Sequence, residues 1–112
     1  MANLLIDDNA VTVALSVLEK AEALHGDIRV PRTAIVRVRS VPDGMAEVHG
    51  LRMPGSGFPG VIMVGTWRDS DGVTFAVCHG RRPAVVFELT GHPYNRVVVT
   101  VENPEEALDA FA

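Results

Sequence analysis

Cysteine is nearly missing from this chain. Cys78 stands alone, so no intrachain disulfide framework exists, and a reducing cytoplasm is the simplest home. Positive charge is also scarce. Ten Lys and Arg stand against 14 Asp and Glu, a net charge of −4, which argues against a constitutive nucleic-acid or anionic-membrane partner. No apolar run approaches the ~20 residues needed to cross a bilayer, so no membrane insertion is expected. The opening residues 1–8 lack a basic residue before their short apolar patch, and Asp7 and Asp8 interrupt it, so no secretory signal is expected. Repeats and low-complexity tracts are lacking too. An apolar fraction of 47% with 21% charged residues excludes global disorder, and 112 residues allow one domain spanning 1–112. Lys20 is the only lysine; the other basic residues are arginines, which suit planar ion pairs, although GC-rich coding produces the same bias.

What is present is alternation at period two, punctuated by Gly, Pro and Asp. Val85, Phe87 and Leu89 share one face of residues 84–89, and Val97, Val99 and Val101 share one face of 96–101. Val73, Phe75, Val77 and His79 alternate with Thr74, Ala76 and Cys78. Short turns containing Gly or Pro separate these stretches, which together predict an antiparallel meander. No helix long enough for a βαβ crossover fits between them, so a doubly wound fold is not expected. Upstream, residues 11–17 read as a strand, 18–24 as a short helical turn ended by Gly26, and 27–30 and 34–41 as further strands broken at Pro31. Met53 to Gly60, rich in Gly and Pro, reads as a loop joining two strand groups.

The last residues spell a helix. Asn103 suits an N-cap, Pro104 suits the first helical position, and Glu106 would complete a capping box with Asn103. Pro104, Ala107, Leu108 and Phe111 form one apolar stripe, which predicts burial of Leu108 and Phe111 against the sheet.

About seven antiparallel strands followed by a C-terminal helix resemble the pleckstrin-homology-like (PH-like) barrel. Several stretches resemble small bacterial PH-like proteins, which are mostly uncharacterised. They are Leu18-Glu-Lys, Gly26 to Pro31 leading into Ala34-Ile-Val, Pro54 to Gly60 followed by Val64-Gly-Thr-Trp67, and Val101-Glu-Asn-Pro104. The resemblance implies an all-β barrel capped by its final helix, and no reaction. PH domains that bind inositol lipids carry basic residues in the first hairpin loop. Asp7-Asp-Asn9 is acidic, which argues against that ligand.

Candidate chemistry is thin. The glycine-rich stretch 54–60 offers backbone N–H groups near Arg52, but it lacks a Gly-Lys-Ser/Thr ending and opens no helix, so a plain linker accounts for it. Cys78 and His79 are adjacent in a strand and therefore face opposite ways, which argues against a nucleophile and base. His25, His49, His79 and His92 lack metal-ligand spacing, so no metal site is expected. The carboxylates have turn or cap positions, no catalytic dyad is visible, and no cofactor is expected. Arg29, Arg32, Arg37 and Arg39 lie close in sequence with no carboxylate among residues 29–39. They read either as a solvated outer face or as a site for a small anion or an acidic peptide or protein. Val61, Ile62, Met63 and Val64 place apolar side chains on both faces of one strand. A single core covers one face, so the other predicts cover by the C-terminal helix or by a second copy of the chain. The resulting expectation is a non-enzymatic, cytoplasmic interaction module that associates with itself, with the anion binder as the alternative.

Overall fold

Strand β2 (Ala10–Ala14) carries the first alternating stretch and is paired on both sides. Its antiparallel neighbours are β1 (Asn3–Ile6) and β3 (Ile28–Pro31), and the three form the smaller sheet of this computed structural model, which describes residues 2–58 and 60–111. Helix α1 (Val17–Ala23) bridges β2 and β3. The larger sheet contains β4 (Ile35–Val41), β5 (Leu51–Phe58), β6 (Ile62–Asp69), β7 (Gly72–His79), β8 (Ala84–Leu89) and β9 (Arg96–Thr100). Their order is β4-β8-β9-β7-β6-β5, and helix α2 (Pro104–Asp109) follows. The protein is therefore mostly β, with two sheets and a short C-terminal helix. Neither sheet closes on itself.

The expected meander is corrected at its centre. β6–β7 and β8–β9 are antiparallel hairpins, but β7 and β9 run parallel, from Thr74 beside Arg96 to Val77 beside Val99. The hairpins meet along those two strands, so β8 lies beyond β9 rather than beside β7.

The expectation of a single core is also overturned. Phe75, Val77, Phe87 and Val97 pack toward Val11, Val13 and Val30 of the small sheet. On the opposite face of the large sheet Trp67, Ala76, Cys78, Val86 and Val98 form a second cluster with Met45 and Val48. The 3-10 turn Gly44–Glu47 supplies that cover. Its backbone lies so close that a Cβ on Gly44 would come within 2.7 Å of the Ala84 Cβ. Asp43 caps the turn by accepting from the Met45 N–H at 3.0 Å, and Arg81 donates to Asp43 at 2.7 Å. Central strands covered on both faces lose the polar half of their alternation, which is why Thr74 to Cys78 are all buried.

Three local expectations change. Residues 53–60 are not a loop: β5 runs to Phe58, and Pro59 lies outside the described residues. Residues 3–6 form a strand where no element was expected. Helix α2 is shorter than its sequence stripe, the Asn103 side chain makes no cap, and Ala107 rather than Leu108 is its buried residue. Leu108 is half-buried. Phe111 docks edge-on against Phe87, with ring centres 5.8 Å apart, and the Arg32 guanidinium sits 4.4 Å from the Phe111 ring centre.

Candidate functional site

The four arginines of residues 29–39 do not converge. Arg29 is exposed on β3, opposite Thr12. Arg32 donates to the Asp7 carbonyl and to the Ala110 carbonyl, both at 2.9 Å, while covering Phe111, so it ties the β1–β2 turn to the C-terminal residues. Arg39 reaches Glu47 at 2.6 Å and Glu88 at 3.5 Å, and Arg37 stands 4.0 Å from Glu88. Those last two belong to β4, an edge of the other sheet.

The strand residues 61–64 separate by face and by depth. Val64 is fully buried in the first core, Ile62 packs against that core, and Met63 packs against the second. Val61 stays exposed in the turn before β6. Both faces of β6 are thus covered from within the chain. The cover on the small-sheet side includes α1, which lies over β5 and β6, while α2 lies instead against β4 and β8.

Helix α1 has its amphipathic character reversed. Ser16 caps its start, and its hydroxyl accepts from the Glu19 N–H at 3.1 Å while Glu19 Oε1 accepts from the Ser16 N–H at 2.8 Å. Leu24 ends it in the left-handed conformation at φ 53°. The face toward the sheet carries Ala23 and the carboxylate of Glu19, which is 1% exposed. Glu19 Oε2 lies 2.6 Å from His79 Nε2. Burial pushes the Glu19 carboxyl up, but the Ser16 backbone N–H and His79 outweigh it and hold its pKa below the ordinary value. The outward face carries Val17 and Leu18, at 86% and 69% exposed.

These side chains share an end of the molecule with the β5–β6 turn. His79 is the register partner of Ile62, and the neighbouring Gly80 N–H donates to the Val61 carbonyl at 2.9 Å. The Val61 N–H in turn donates to the Phe58 carbonyl at 2.9 Å. Phe58 and Val61 are 67% and 68% exposed. The Glu19–His79 contact and the Ser56 hydroxyl, which donates to the Glu22 carbonyl at 3.1 Å, tie α1 to β7 and β5 beside this turn. Of Val17, Leu18, Phe58 and Val61, only Val61 belongs to the apolar strand run 61–64 that the sequence offers as a contact surface. The usable signal was Ser16-Val-Leu-Glu19, a capping box that puts Val17 and Leu18 in the first turn and turns the carboxylate inward.

Cys78 and His79 do face opposite ways. Cys78 is buried in the second core, where loss of water pushes its thiol up to about 12. The chain matches no family model, no curated protein and no solved structure.

Proposed function

We propose that this protein is a non-enzymatic, cytoplasmic interaction module that associates with a second copy of itself through Val17, Leu18, Phe58 and Val61. One observation carries the reading: α1 buries a charged carboxylate and exposes its large apolar residues. Leaving Val and Leu side chains in water forgoes roughly 1.5–3 kcal/mol each, and a contiguous apolar patch is the usual mark of a contact surface. Symmetric pairing of like patches is the commonest way soluble chains cover them.

Face contact fits better than strand addition at β5. Pro54 lacks a donor, and the register of β5 against β6 shifts between Arg52 and Gly55, both of which blunt an edge. An anion or acidic-peptide site at Arg29, Arg32, Arg37 and Arg39 has less support, because Arg32 and Arg39 are engaged within the chain. A PH-like relationship rests on the sequence stretches named above and on the outline of two sheets with a final helix. The parallel β7–β9 pair and the open sheets depart from a closed barrel.

Light scattering over micromolar to millimolar concentrations tests the proposal. A mass of two chains is expected for the native protein, and one chain for Leu18→Glu and Phe58→Glu with unchanged circular dichroism. A native mass of one chain throughout would overturn it.

A further inference from the structure

A groove of about 560 Å³ runs between β1 and the start of α2. Its volume falls in the range of sites that hold ligands. Leu4, Ile6, Val101 and Ala107 give it an apolar floor, and Glu102 and Glu106 give it two carboxylates. Among the described residues no basic side chain lines it and neither carboxylate has an ion-pair partner.

The wall formed by β1 is an open strand edge, since the order of the small sheet is β1-β2-β3. The ladder fixes which groups that edge presents. The Asp7 N–H donates to the Ala10 carbonyl at 3.0 Å, so Asp7 and Ala10 are a hydrogen-bonded pair. Antiparallel ladders alternate. In the register Leu5 with Thr12 and Asn3 with Ala14, Leu5 and Asn3 turn their backbone groups toward β2. The N–H and C=O groups of Leu4 and Ile6 then point away from β2, along the free edge of the small sheet. Leu4 and Ile6 line the groove together with Ala2 and Asn3, and Leu5 does not. Asn103 stands at the cap position of α2 without capping, and its residue lines the same groove. A cap omitted beside an open edge and two unpaired carboxylates is a local rule broken at one place, which is where binding surfaces are found.

We propose that this groove takes an extended, Lys- or Arg-bearing segment of another protein, which adds to β1 as a fourth strand. Its backbone would pair with the N–H and C=O groups of Leu4 and Ile6. Its apolar side chains would lie over Val101 and Ala107, and its basic side chains would meet Glu102 and Glu106. The four residues of β1 set the paired length at about 14 Å. The site shares no residue with the self-association surface, so either proposal stands without the other.

Fluorescence anisotropy on the full chain tests it, with a labelled Lys-Val-Lys-Val-Lys-Val peptide as the probe. Saturable binding is expected, with no binding of the Glu-Val repeat. Glu102→Lys combined with Glu106→Lys should weaken binding at least about tenfold at low salt, since two exposed charge contacts are reversed. Methylating alternate peptide nitrogens removes the donors from one edge of the ligand. One methylation phase should abolish binding and the other should leave it within about twofold. Equal tolerance of both phases would show attraction by charge alone and overturn strand addition. Absence of binding to the basic peptide at millimolar concentration would overturn the proposal outright. Tighter binding of a peptide copying residues 2–8 would do the same, by making a second copy of β1 the occupant.

Discussion

Glu19 and His79 meet at 2.6 Å across the seam between α1 and β7, sixty positions apart in the chain. The carboxylate side chain is 2% exposed and the imidazole 27%, so the pair reaches from the protein interior to its surface. One oxygen of Glu19 serves the helix start and the other serves the sheet. That division lets a single side chain set both where α1 begins and where it lies.

Replacing Glu19 separates the two roles. Gln keeps an oxygen for the Ser16 N–H but removes the charge, whereas Ala removes both. Glu19→Ala should cost roughly 2–4 kcal/mol, from a lost cap, a lost charged hydrogen bond and a vacated buried site, and Glu19→Gln about half of that. Urea unfolding measures both, and equal losses would show that the cap contributes nothing.

Acid should weaken the same contact. The folded-state carboxyl of Glu19 lies below its ordinary value, so its contribution is complete above the unfolded carboxylate range near pH ~4.3 and is lost as pH falls through the folded value. Asp7, held down by the Asn9 and Ala10 N–H groups, and Asp43, held down by Arg81, shift in the same direction. The midpoint of thermal unfolding should therefore drop between about pH 5 and pH 3, and Glu19→Ala should show a shallower drop.

Cys78 should be inert in the folded protein. With its thiol pushed up to about 12 by burial, almost no thiolate exists at neutral pH. Labelling by a thiol reagent should run at least about a hundredfold slower in native protein than in urea. Labelling in native protein as fast as in urea would mean that the second core opens around Cys78.

Glycine substitutions should divide sharply. Gly65 has φ 148°, and a Cβ there would stand 2.5 Å from the Gly55 Cα and from the Pro54 carbonyl oxygen. Gly65→Ala should cost about 2–4 kcal/mol, because two backbones must part. Gly26 has nothing within 4 Å of the equivalent position. Gly26→Ala should change stability by less than about 1 kcal/mol, and calorimetry on the two variants checks the contrast.

Much of this fold was legible in the residue pattern, and the exceptions have separate physical causes. β7, β8 and β9 follow the apolar runs because their burial depends on which side chains point where, a local property. β5 was hidden because Pro54, Gly55 and Gly57 read as loop. The residues that look like a break are those that let β5 approach β6 at Gly55 and Gly65. The parallel β7–β9 pair and the partners of Arg39 were hidden for another reason: Glu88 and Glu47 come from elsewhere in the chain, and period two says nothing about which strand lies alongside. At Asn103 the cap is spelled and not made: the residue stands at φ −133° and ψ 89°, and its side chain accepts no hydrogen bond from the helix.

The parallel pairing of β7 and β9 also governs how the chain reaches this state. A meander grows by adding each new strand to the last, at little cost in loop closure. Here the β6–β7 and β8–β9 hairpins are local units joined only by the non-local pairing of β7 with β9, so the hairpins should form first and join afterwards. Until they join, two apolar strands at the heart of the mature sheet are edges open to any neighbouring chain. Refolding yield should therefore fall steeply with protein concentration, and the folding rate should be that of a non-local β topology, milliseconds to seconds by order of magnitude.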